Sequence, residues 1–223
     1  QIKPLGVVVP KTEQDVLATL GIANDAGVSV TMRGGGTSQC GQTVGEGIIV
    51  DVSKHLNRLI SVDPETRRAV VQPGIVLDQL NALLKPHGLF FPVDVSTSSR
   101  ATIGGMTANN SCGARSIRYG KMVDNVRAVD AVLADGNQMH FGEWGNGTAT
   151  APEWQQQLVD KLLELGNREA DEVARRFPKV QRRVGGYNLD VLTPEALSSL
   201  NLAHLLVGSE GTLCVITEIK INL

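Results

Sequence analysis

The segment RGGGTSQCGQT, Arg33 to Thr43, concentrates residue types that can hold an anion. Glycine leaves the backbone open to a ligand, and successive N–H groups can converge into an anion-binding concavity. Thr37, Ser38, Gln39 and Gln42 add side-chain donors, and Arg33 adds a fixed positive charge. This donor set suits a phosphate or pyrophosphate; a plain surface turn rarely carries it. The spacing Gly36-x4-Gly41-Gln42-Thr43 approaches the P-loop pattern. Gln42, however, stands where that pattern needs lysine, and a strand follows where it needs a helix. The pattern G-x-G-x-x-G also fails, because Gln39 occupies its last glycine.

A second polar segment, PVDVSTSSRATIGGMTANNSCGARSIRYG (residues 92–120), reads as a long loop with little strand or helix period. Loops of that length inside a compact domain are usually functional. Gly104-Gly105 bares the backbone again, and Thr97, Ser98, Asn109, Asn110 and Ser111 offer donors and acceptors. Two such segments point to an extended ligand with polar groups along its length. The other chemistry-bearing residues read as structural. His55, His87, His140 and His204 have no metal-site spacing, and Arg115 and Arg118 read as solvated. Cys40 reads as a small packed residue. The triplets Asn109-Asn110-Ser111 and Asn146-Gly147-Thr148 read as chance matches to a glycosylation pattern.

The elements that must position these segments follow from pattern. Thr12 caps a helix over EQDVLATLGIANDA, with Asp15 in the capping-box place and Gly27 at its end. VSVTMR and GIIVDVS read as strands on either side of the glycine loop. RLISVDPETRRAVVQP reads as a hairpin turned at Asp63-Pro64, and VLDQLNALLKPHG as an amphipathic helix ended by Gly88. NVRAVDAVLADGNQMHF reads as a hairpin with a type I′ turn at Asp135-Gly136. Residues 152–176 read as helical, and LAHLLVGSEGTLCVITEIKI as two strands around a turn. Trp144 and Trp154 flank an apparent insertion.

Composition bounds the possibilities. The 223 residues carry a formal net charge of −2 and 4% aromatics, which argues against nucleic acid or an anionic membrane as partner. Three scattered cysteines give no disulfide framework or metal site and fit a reducing compartment. No apolar run reaches the roughly 20 residues of a spanning helix, and no signal peptide opens the chain. QIKPLGVVVPKT begins in mid-pattern and CVITEIKINL ends on strand alternation, so the chain reads as a domain excised from a longer protein.

VVVPKTEQDV, RGGGTSQCGQ, the run from VQPGIVLDQL through IRYGKMVDNV, VLADG and GSEGTLCVITE occur in an order that covers nearly the whole chain. They resemble the FAD-binding domain of the vanillyl-alcohol oxidase/PCMH flavoprotein family. Within it they resemble the branch of D-lactate, glycolate and D-2-hydroxyglutarate dehydrogenases. The resemblance implies an α+β fold of two subdomains with FAD between them: residues 1–57 as the small one, and 58–223 as a larger antiparallel-sheet one with a helical insertion about 141–190. It implies that Gly34, Gly35, Gly36, Thr37 and Ser38 hold the pyrophosphate, with Gly41 and Gln42 continuing toward the flavin and the charge of Arg33 counted among the cofactor-binding residues. Pro92, Asp94, Ser96, Thr97, Gly104, Gly105, Asn110, Gly113, Tyr119, Gly120 and Ile216 complete the implied FAD site.

Thr37 stands where some relatives attach FAD through histidine, so the cofactor is expected to be non-covalent. A cysteinyl link at Cys112 is the minor alternative, and Cys214 replaces a glycine usual in the closing motif. The implied activity is oxidation of a 2-hydroxy acid to a 2-oxo acid, with electrons passed to a downstream acceptor. In this branch the base and carboxylate-binding arginines belong largely to a following substrate domain, so no catalytic residue is named. GYNLD (residues 186–190), behind RRFPKVQRRVG, is also typical of the branch and is expected to border the substrate side; some relatives carry a C-terminal iron–sulfur module. The expected location is cytoplasmic, or membrane-peripheral for the full-length protein. Alternatives are an alcohol oxidase or a cell-wall precursor reductase of the same fold, or a nucleotide-binding module without flavin.

Overall fold

A computed structural model of the chain describes residues 2–145 and 151–223. Two sheets organise it. The first is a parallel sheet of three strands, β1 (Gly6–Val8), β2 (Val30–Arg33) and β3 (Ile48–Asp51), in the order β1-β3-β2. Helix α1 (Glu13–Asp25) crosses over between β1 and β2. Its capping box is complete: Asp15 N–H donates to Thr12 Oγ1, and the Asp15 carboxylate accepts from the N–H groups of Thr12 and Lys11. Those bonds hold the Asp15 carboxyl below its ordinary value.

The second sheet is antiparallel, in the order β4-β5-β8-β6-β7, formed by β4 (Leu59–Asp63), β5 (Arg68–Val71), β6 (Val126–Val132), β7 (Gln138–Phe141) and β8 (Val215–Asn222). The last strand in sequence is the central one in space. Its VITEIKIN alternation buries Val215, Thr217, Ile219 and Ile221 and turns Lys220 to solvent, as the two-residue period of a strand requires. Helices α2 (Leu77–Leu84), α3 (Ile103–Asn109), α6 (Glu153–Arg168) and α8 (Ala203–Leu206) bring apolar residues to the large core; α7 (Ala170–Arg176) follows α6, and the one-turn helices α4 (Ser116–Tyr119) and α5 (Met122–Asn125) lie between α3 and β6.

A smaller core joins the sheets: Val16, Val50, Val52 and Leu56 pack with Val132 of β6 and Val215 of β8. Asn24 Nδ2 adds a bond to the Ala134 carbonyl. The mixed α+β architecture is the expected one.

Four local expectations need correction. The turn at Asp135-Gly136 is not type I′, since only Gly136 has positive φ, at 85°. Gly136 N–H donates to the Leu133 carbonyl and Leu133 N–H to the Asn137 carbonyl, a type I turn closed by a left-handed glycine. Residues 203–206 form α8, not a strand, because their amides bond locally and His204 reaches across to the Val126 carbonyl at 3.1 Å. Burial lowers the His204 pKa. Residues 103–109, read as loop, are helix α3, started by Thr102 Oγ1 accepting from Gly105 N–H. Cys40 is exposed rather than packed. The triplet Asn146-Gly147-Thr148 lies outside the described residues.

The central strand carries a direct expectation. Ile219 is fully buried, so Ile219→Ala should cost about 3 kcal/mol in urea unfolding. Ile22→Ala, at a position 66% exposed, should stay within about 0.5 kcal/mol.

Candidate functional site

A cavity of about 790 Å³ lies where the β2–β3 loop meets the segments flanking α3 and the turn before β8, a size ordinary for a ligand pocket. One wall is the glycine loop. A Cβ added at Gly34 would overlap Thr102 Oγ1, and one at Gly35 would overlap the Arg100 carbonyl. Gly36 has φ +62°, and its missing side chain leaves room for the Arg33 guanidinium. The bare backbone therefore answers a packing need first: it lets the small sheet's loop lie directly on residues 100–102 of the facing wall. Arg33 Nη1 donates to the Thr43 carbonyl, so this charge braces its own loop as well as lining the cavity. Among the described residues, no group accepts a hydrogen bond from the backbone N–H of Gly35, Gly36, Thr37 or Ser38. Four donors at one cavity edge are left for a ligand.

The facing wall comes from residues 94–114. Gly104 seats against Pro73, to whose carbonyl it donates at 2.8 Å, and Gly113 against the Asp94 backbone. Asp94 accepts from Arg115 N–H at 3.0 Å, fixing the turn after α3. Asn110 ends α3 in the left-handed conformation and is fully buried. Its Oδ1 accepts from Val123 N–H at 3.1 Å, which leaves Nδ2 buried without a partner in a residue of the cavity wall. Gln42 Oε1 is likewise buried and unpartnered. Unsatisfied buried polar groups are costly, so an orphan donor and an orphan acceptor in one cavity point to a ligand bearing both complements.

The third wall is Ser209–Gly211. Gly208 and Glu210 donate to the carbonyls of Thr107 and Ala108. The buried Asn188 of GYNLD holds this turn's root by donating to the His204 and Val207 carbonyls.

Of the residues expected at the site, Arg33, Gly34, Gly35, Gly36, Thr37, Ser38, Gln42, Asp94, Ser96, Thr97, Gly104, Gly105, Asn110, Gly113 and Ile216 line this one cavity. Gly41, Pro92, Tyr119 and Gly120 do not: Pro92 is buried beneath the wall, and Tyr119 packs edge-on against Phe90 outside it. Thr102, Arg182, Ser209 and Glu210 line it and were not singled out. Arg182 Nε lies 2.8 Å from Cys112 Sγ. Cys214 lines the cavity, with burial pushing its thiol up to about 12. Among the described residues, no cluster of His, Cys, Asp or Glu is placed to hold a metal, and no helix is long and apolar enough to cross a membrane. His140 pairs with Asp130 at 2.7 Å, away from the cavity. Beside it the Glu218 carboxyl is raised by burial and by the carboxylates of Glu13 and Asp130.

The thiols give a test. Only thiolate alkylates, so iodoacetamide at pH 8 should modify Cys40 and leave Cys214 intact by mass spectrometry, and raising the pH to 9 should not recruit Cys214.

An FAD molecule fits the chemistry of these walls. Its diphosphate would accept from several N–H groups, and its hydroxyl and N–H groups would need acceptors such as Gln42 Oε1. A model of the FAD binding domain matches residues 4–142. The D-2-hydroxyglutarate dehydrogenase of Pantoea ananatis (strain AJ13355) is 36% identical over 100% of this chain and 22% of its own length. The D-lactate dehydrogenase of Archaeoglobus fulgidus is 33% identical over 97% of this chain and 38% of its own. This chain thus spans well under half the length of either relative. A solved structure of alkyldihydroxyacetonephosphate synthase shares the fold at a TM-score of 0.65 and 22% identity, covering 97% of this chain and 31% of that one. With the FAD binding domain model matching more than half of it, the chain belongs to the FAD binding domain family of the PCMH-type FAD-linked oxidases.

Proposed function

We propose that this chain is the FAD-holding part of a flavin-dependent oxidoreductase that converts a 2-hydroxy acid to a 2-oxo acid. One observation carries the cofactor reading: four unpartnered loop amides, the orphan donor of Asn110 and the orphan acceptor of Gln42 all belong to residues that line a single cavity. The amides of Gly35 to Ser38 would take the diphosphate, and Asn110 Nδ2 would donate to a carbonyl or ring nitrogen. The activities for which the relatives are named, on D-2-hydroxyglutarate and D-lactate, support the substrate class.

Bound FAD supplies hydride acceptance from the substrate's C–H bond. This chain's residues bind and orient the cofactor and keep water from it. The base that takes the hydroxyl proton and the groups that hold the substrate carboxylate are assigned to another part of the full-length protein. Residues 1–57 and 58–223 form the two lobes of the site in this reading. Thr37 in the place of an attaching histidine supports a non-covalent cofactor. A downstream electron acceptor and a cytoplasmic or membrane-peripheral full-length protein complete the proposal.

Full-length protein purified with its flavin should release all yellow colour into the supernatant on acid precipitation; flavin in the pellet would contradict non-covalent binding. It should also bleach under anaerobic conditions with one of D-2-hydroxyglutarate, D-lactate or glycolate; bleaching with none would sink the substrate class and spare the cofactor. Gly35→Ala, which forces a Cβ against the Arg100 carbonyl, should lower FAD occupancy at least about tenfold, read from the ratio of flavin to protein absorbance.

A further inference from the structure

Glu210 stands in a conformation that costs energy and makes contacts that explain why. It is one of three non-glycine residues with positive φ among those described, at 53°, a region L-residues with a Cβ enter at a penalty. Its carboxylate takes one side-chain amide on each oxygen. Asn109 Nδ2 donates to Oε1 at 2.7 Å, and Gln42 Nε2 donates to Oε2 at 3.0 Å. Asn109 sits at the end of α3 and Gln42 in the glycine loop, so one carboxylate spans the two facing walls of the cavity.

The direction of these bonds matters more than their number. An ionised carboxylate only accepts, so both amides must turn their nitrogen toward Glu210. Asn109 Oδ1 is then satisfied by Ser111 Oγ at 3.1 Å. Gln42 Oε1 has no such donor and is left buried and unpartnered in a residue of the cavity wall. Asn110 is fixed in the opposite sense by a partner that only donates: Val123 N–H holds Oδ1 and leaves Nδ2 buried without a partner. The two orphan atoms are thus an acceptor and a donor whose orientations neither side chain can exchange without losing a bond.

We infer that Glu210 is a positioning residue that sets the polarity of the cofactor cavity, locking Gln42 so that its carbonyl oxygen faces a hydroxyl or N–H group of the bound dinucleotide. This rests on the FAD reading and deepens it. The left-handed backbone at Glu210 is the means by which the turn before β8 reaches Gln42 and Asn109 together. A glutamine at 210 can donate as well as accept, so it would let the Gln42 amide flip. A glycine would relieve the backbone and remove the clamp.

The test uses full-length apoprotein, with FAD affinity from quenching of flavin fluorescence and apoprotein stability from urea unfolding. Wild-type protein must first bind FAD; if it does not, the functional reading falls and this inference with it. Given binding, Glu210→Gln should weaken FAD about tenfold. In a Gln42→Leu background the same change should weaken it by no more than about twofold. Glu210→Gly should leave the apoprotein as stable as wild type or more so, while weakening FAD at least as much as Glu210→Gln. Wild-type affinity in Glu210→Gln, an equal loss with Gln42 absent, or losses of affinity that only follow losses of apoprotein stability would each overturn the inference.

Discussion

The close approach of the glycine loop to residues 100–102 is the constraint on which the rest of the site depends. Side chains at positions 34 and 35 would occupy space already held by Thr102 and the Arg100 carbonyl. With none there, the end of the small parallel sheet can lie against the facing wall and turn its amides along one cavity edge. The shared apolar cluster of Val16, Val50, Val52, Leu56, Val132 and Val215 holds the sheets in that register from below. A cavity built between two elements, with backbone donors from one and side-chain amides from the other, is an arrangement an extended anionic dinucleotide can bridge.

Electrostatics at the site is carried by dipoles more than by net charge. Arg33 braces its own loop, Arg182 lies on Cys112, Asp94 fixes the turn after α3, and Glu210 ties two amides. Each charged group on the cavity wall has a structural partner, so what remains open to a ligand is a set of neutral N–H and C=O groups of defined direction. Such preorganised donors need little rearrangement on binding, which is why the order imposed by Glu210 and Val123 on two neighbouring amides carries weight.

Much of this was legible in the sequence because the decisive features are local. Three glycines between a β-branched strand and a polar run, a capping box at Thr12, and strict alternation over VITEIKIN each report on a few neighbouring residues. What was not legible depends on contacts across the chain. Glu210 meets Gln42 from 168 residues away, and Arg182 meets Cys112 from 70. Both residues lie in segments the resemblance includes, GSEGTLCVITE and RRFPKVQRRVG, but nothing in those segments names the distant partner. Helix α3 was hidden by two glycines in its first turn, which lower helix propensity. Its stability comes from the Thr102 cap and the burial of Ile103 and Met106. The strand expected at 203–206 failed for a related reason: an apolar run of that length fits a buried helix turn as well as a strand.

Hydrogen exchange of the backbone amides, followed by mass spectrometry on full-length apoprotein before and after FAD is added, tests the central claim most directly. If the two walls hold one ligand between them, peptides covering residues 33–43 and residues 94–113 should both gain protection, together with the turn at 208–212. Protection confined to one wall, or found only outside these three segments, would contradict a cofactor site built across the cavity.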